Sequence, residues 1–167
     1  MLRRLGILLA IVLVMGACAG GDRSAISVGD ISVSRSDLID ITFATNPGGP
    51  DELPATLDNG MLRNIANALA LDAAVVTVLA EQGITMSESE AAAIDAQIND
   101  GIASAQLREL DPEGGAFAAL RRNLWASSFI NGLDPDSVDQ VQELLADVEV
   151  ESRLGVYNPE TTLIAGR

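Results

Sequence analysis

The chain has 167 residues, a net charge of −14 and neither histidine nor lysine. That length builds one domain with a hydrophobic core once a targeting segment is set aside. Without histidine there is no usual general acid–base group, no commonest metal ligand and no Ser–His or Cys–His pairing, and an acidic chain without a basic cluster suits neither nucleic acid nor anionic headgroups.

Residues 1–17, MLRRLGILLAIVLVMGA, have a basic start at Arg3 and Arg4, an apolar run from Leu5 to Met15, and small residues before Cys18. This is the layout of a secretory signal, and its apolar run is too short for a comfortable membrane span. Met15-Gly16-Ala17-Cys18 resembles the bacterial lipobox, in which a lipid is attached to the cysteine sulfur and the chain is cut just before it. A diglyceride on Cys18 would anchor the chain stably at the extracytoplasmic face of a bacterial membrane, and it is the only covalent group or cofactor expected. Removing the leader takes two arginines with it and changes the charge from −14 to −16. Cys18 has no second cysteine to pair with, so an intramolecular disulfide is impossible. Residues 18–24 are small and polar, a flexible tether to a domain spanning 25–167.

Residues 25–38, AISVGDISVSRSDL, read as a hairpin, with Ile26 and Val28 against Ile31 and Val33 around a Gly29-Asp30 turn. Ser34 and Asp37 resemble a capping box that opens a short helix over 35–44. The stretch 46–54, NPGGPDELP, is a loop. A long helix is predicted over 57–82, stopped by Gly83; between Ala66 and Ala80 its only charge is Asp72, placed at an edge reaching water. Ser87 and Glu90 form a second capping box before a helix over 88–109, with Ile94, Ile98 and Ile102 on one face and Gly101 weakening its middle. Asp111-Pro112 and Asp134-Pro135 each mark a helix start, for 113–131 and for a fifth helix carrying Val138, Val141, Leu145 and Val148. The alternating Val148–Glu151, the strand-like Val156-Tyr157 and the run 161–164 are predicted to pair with the opening hairpin, since none has a core alone.

The opening VGDISVSRSDL, the long central helix ending in LAEQGITMSESEAAAI, and the closing LGVYNPETTLI resemble the N-terminal domain of SurA-like, parvulin-associated chaperones, a module that the substrate-binding part of trigger factor also resembles. Gly29, Ile31, Ser34 and Arg35 match the family's opening, where its usual Asn is absent; Glu81 to Glu90 match better, and the tail resembles short actinobacterial lipoproteins of this type. The resemblance implies a mostly α domain of about five helices with a small β-sheet from the N-terminal hairpin and C-terminal strands. It also implies a peptide-holding module without the isomerase domain, for which the chain has neither the length nor the histidines.

Calcium loops need a ligand spacing that Asp111-Pro112-Glu113, Asp134-Pro135-Asp136 and Asn99-Asp100-Gly101 lack, so capping and helix surface explain these groups. Ser127 and Ser128 have no base to activate them. Arg121 and Arg122 beside Phe117, Trp125 and Phe129 have the make-up of a peptide-binding lip, with Met61 and Met86 as flexible apolar contributors. The simpler reading places the aromatics in the core and the arginines in water. The expected activity is chaperone-like binding of unfolded or secreted polypeptides, without enzymatic chemistry; the alternative is a structural or assembly lipoprotein docking one folded cell-envelope protein.

Overall fold

The opening alternation forms a hairpin of β1, Ser24–Val28, and β2, Ile31–Ser34, with Val28 opposite Ile31 and Ile26 opposite Val33. Gly29 turns the chain at φ +54°, a conformation open to glycine at little cost. Ile26, Val28 and Val33 point inward and are buried. The computed structural model describes residues 23–45, 57, 59–105, 107–158 and 163–165; the leader, Cys18 and the loop at 46–54 lie outside the described residues. Strand β1 takes Ser24, the last residue of the expected tether.

Helix α1, Arg35–Thr45, begins where β2 ends. The Asp37 N–H donates to Ser34 Oγ at 3.1 Å and the Ser34 N–H donates to Asp37 Oδ2 at 3.0 Å, the reciprocal bonds of a capping box. Helix α2, Asn59–Glu81, is long and apolar enough to cross a membrane by composition, yet 56% of that stretch is buried within the protein. Ala66, Ala70, Ala73 and Ala74 let other elements approach closely, and α2 meets α1 and β1 directly. It ends in a Schellman motif: the Gly83 N–H donates to Ala80 O, the Ile84 N–H to Leu79 O, and Gly83 sits at φ +75°.

Helix α3, Glu88–Ser104, has the expected Ser87–Glu90 capping box and buries Ile94, Ile98 and Ile102 on one stripe. It stops five residues before the predicted end. Gly101 weakens the last turn, Ile102 is the last apolar residue of the stripe, and the Leu107 N–H folds back onto Ile102 O. Helix α4, Gly115–Asn131, also departs from expectation. Asp111-Pro112 does not cap it: Asp111 Oδ1 accepts from the Glu113 N–H and Asp111 O from the Gly114 N–H, which makes a turn ahead of the helix. Helix α5, Pro135–Leu145, does start at its Asp-Pro, with Asp134 accepting from the Ser137 N–H at 3.0 Å; Val148 lies past its end.

The two ends of the domain meet. Strand β3, Val150–Ser152, runs antiparallel to β1 with Val150 opposite Val28, giving a sheet ordered β2-β1-β3. The second terminal run behaves differently from expectation. β4, Val156–Asn158, and β5, Leu163–Ala165, pair with each other in a separate two-stranded sheet. The chain bends between Arg153 and Gly155, burying Leu154, and this carries it away from β1. The Ile164 N–H donates to Asn67 Oδ1 at 2.6 Å, which fastens the second sheet to α2. Among the described residues the domain is therefore mostly helical, with five helices and small antiparallel sheets from its N-terminal and C-terminal strands.

Two glycines differ in what a methyl group would meet. A Cβ on Gly115 would lie 2.6 Å from both Asp37 carboxylate oxygens, which the α1 cap holds in place. Gly101, inside α3, has open space around it. Gly115→Ala is expected to destabilise the fold by about 1–2 kcal/mol, and Gly101→Ala to stabilise it by about 0.5–1 kcal/mol. Urea unfolding of the two variants checks both signs.

Candidate functional site

The lip expected at α4 is closed. Phe117 is fully buried and Trp125 nearly so, while Phe129 is half-buried with its ring 6.0 Å from that of Trp125. The Trp125 indole N–H donates to Glu90 Oε1 on α3, and the Ile94–Ile98–Ile102 stripe joins the same core. Arg121 is held by Asp95 through two hydrogen bonds, Nη2 to Oδ2 at 2.7 Å, and its guanidinium lies 5.4 Å from the centre of the Phe117 ring. The ion pair joins α3 to α4, and the cation–π contact, made within α4, holds the guanidinium in that position. Arg122 is half-buried; burial pushes its guanidinium below the ordinary value, and the charge of Asp37 opposes that shift. Neither arginine is the simply solvated side chain of the competing reading. Met86 is half-buried against the core, and Met61 is 38% exposed on α2. The seven expected site residues thus do not converge on one surface, and Cys18 lies outside the described residues.

Asp72 is buried, at 8% exposure, where the sequence placed it at the water's edge. Asn123 on α4 donates to Asp72 Oδ2 at 2.6 Å, across the contact between α2 and α4. Burial raises its pKa from 3.8 to about 6, and the Asn123 bond only partly offsets this. Residue spacing along α2 alone does not reveal that α4 crosses over this position.

A concave surface lies elsewhere, at the turn end of the opening hairpin. A groove of about 500 Å³ runs between β1, the last turns of α2 and α5, and the segment entering β3. Val78, Leu144 and Val148 supply its apolar area, with Ser27 and Thr77 beside them. Glu81, Asp147, Glu149 and Glu151 also line it, and among the described residues no basic side chain does. Glu81 ends α2 and Asp147 follows the end of α5, so both carboxylates sit where the helix dipole is already negative. Stability alone disfavours that placement. The ion pairs Arg108–Asp40 and Arg121–Asp95 involve none of these carboxylates. Among the described residues no three His, Cys, Asp or Glu side chains are grouped to hold a metal ion, so the carboxylates form a spread rim. Such a rim suits cationic side chains, with the exposed Leu144 offering apolar contact. Sequence reasoning passed over this site. Its one local signal is the acid-dense DVEVE at 147–151, which reads equally well as strand alternation.

The chain matches no family model, no curated protein and no solved structure.

The buried carboxyl has a measurable consequence. Asp72 keeps its proton to about pH 6 when folded, against 3.8 as its ordinary value, so the folded chain binds the extra proton in that window. Stability therefore falls as pH rises from about 4 to about 6. Asp72→Asn keeps a hydrogen-bonding group facing Asn123 and removes the charge. It is expected to stabilise the protein by about 1–2 kcal/mol at pH 7.5, solvent access trimming the full linkage value, and to change nothing near pH 3.5. Thermal or urea unfolding at the two pH values checks this.

Proposed function

We propose that this protein is a lipid-anchored extracytoplasmic binding module that docks one cell-envelope polypeptide, through a cationic stretch, and performs no covalent chemistry of its own. The observation that carries the reading is the groove, whose apolar area is rimmed by Glu81, Asp147, Glu149 and Glu151 with no basic residue among its described lining. Charge of one sign around a concave surface favours a partner of the opposite sign and speeds its approach. The lipobox-like Met15–Cys18 supports the anchor and the location, with the lipid on Cys18 as the only covalent group. The lack of histidine supports a binding role over catalysis that depends on an imidazole.

Chaperone-like holding of many unfolded clients, the activity implied by the likeness to SurA-type domains, calls for broad apolar contact that adapts to each client. Phe117 and Trp125 are enclosed in the core and cannot supply it in this conformation. Docking of one partner is therefore favoured over promiscuous holding.

A photo-reactive side chain at Leu144 in the full-length protein is expected to give one discrete adduct in the native envelope. A ladder of many adduct sizes would support the chaperone reading instead, and no adduct would remove the groove as a binding surface. Combining Glu81→Gln, Glu149→Gln and Glu151→Gln is expected to weaken partner retention on the order of tenfold or more, with the loss largest at low salt.

A further inference from the structure

Strand β1 has unlike surroundings at its two ends. The acid-rimmed groove lies towards Gly29, whereas arginines gather towards Ser24. Arg23 is exposed just before the strand, and Arg153, also exposed, donates its N–H to Ala25 O at 3.0 Å. Arg63 of α2 reaches the next carbonyl, Leu154 O, at 3.5 Å. The β4–β5 sheet begins just beyond, at Val156. On one face of it Ile164 is buried and Tyr157 packs against the core. On the other, Val156 and Leu163 are 58% and 49% exposed. Val156 lies opposite Ala165 and Leu163 opposite Asn158, so the two apolar side chains share that outward face.

Cys18 stands six residues before Ser24. Six residues of extended chain reach about 20 Å at most, so a lipid on Cys18 would hold the arginine-bearing end of β1 within that distance of the bilayer. We propose that the outer face of β4–β5, carrying Val156 and Leu163, rests on the lipid–water interface beside the anchor and turns the groove away from the membrane. The proposal rests on the anchor reading given above. A short tether gives an effective concentration of about millimolar, so a contact too weak to bind a free protein becomes occupied. Exposed Arg23 and Arg153 can lay their stems along the interface with their charges among headgroups. The acidic chain as a whole gains no binding from anionic headgroups, so the lipid holds it there. With Arg23 and Arg153 at this end and the carboxylates at the groove, however, charge and apolar contact select the same orientation.

The test uses the lipidated full-length protein on vesicles of phosphatidylethanolamine and phosphatidylglycerol, with a nitroxide on Leu163→Cys or, separately, on Leu144→Cys. Cys18 is blocked by its lipid, so the introduced thiol is the one labelled. The label at 163 is expected to be several-fold less accessible to an aqueous nickel reagent than that at 144, and adding Val156→Ser is expected to reduce the difference. Chains that float with the vesicles while both labels are equally accessible overturn the proposal and leave the anchor standing. Chains that do not float overturn the anchor reading and this proposal with it. Spin–spin broadening between labels at 163 would mean that a second copy covers the face, which also overturns it.

Discussion

An apolar helix in water has to be enclosed, and α2 sets that requirement for the whole domain. Its buried positions run from Leu62 to Leu79 and occur on several sides of the helix. No single neighbour can cover such a surface, so α1, α4 and α5 pack around it together with β1 and β5. The hairpin that opens the domain shows the same logic from the other side. Two short strands cannot stand alone, but Ile26 and Val28 become core residues once α2 lies beneath them and β3 extends the sheet. Chain ends more than 120 residues apart in sequence are thereby joined, since β1 begins at Ser24 and β3 at Val150.

Enclosing α2 also decides where function is available. The aromatics of α4 are needed inside: Phe117 and Trp125 are core residues, Trp125 is bonded to Glu90 of α3, and Arg121 is committed to Asp95 and the Phe117 ring. A concave surface lies instead where α2 and α5 end together near the hairpin turn. Both helices bring negative ends there, and the chain adds carboxylates rather than removing them. At the far end of β1 the surface carries arginines and an exposed apolar pair. The proposed docking groove and the proposed membrane contact are thus separated along one strand, so that on the proposed tether a partner would be held without the bilayer competing for the same surface.

Features set by neighbours in sequence were legible from it. The Gly29 turn, the Ser34–Asp37 and Ser87–Glu90 boxes, the Gly83 stop and the Asp134-Pro135 start each depend on a few consecutive residues, and each appears where the spacing puts it. Asp111-Pro112 carries the same local signal as Asp134-Pro135 but makes a turn instead; there α4 starts at Gly115, whose lack of a side chain admits the Asp37 carboxylate of another helix. Asp72 was misplaced for a similar reason, because the residue that covers and bonds it, Asn123, is 51 positions away. The pairing of β4 with β5 depends on a bend at Leu154 that alternation does not encode. The groove was the least legible feature, being assembled from 27–29, 77–81 and 144–151.

Helix α2 is a core helix closed in by the terminal strands, and β1, β3 and α2 form one cooperative unit. Hydrogen exchange of the full-length protein, followed along the chain, reads out that cooperativity. The hydrogen-bonded amides of 62–79, 25–28 and, in the edge strand, those of 150–152 that face β1 are expected to exchange slowest and at a common rate set by global unfolding. Fast exchange of the β1-facing amides of 150–152 while 62–79 stays protected would mean that the C-terminal strand is no part of what holds the core together.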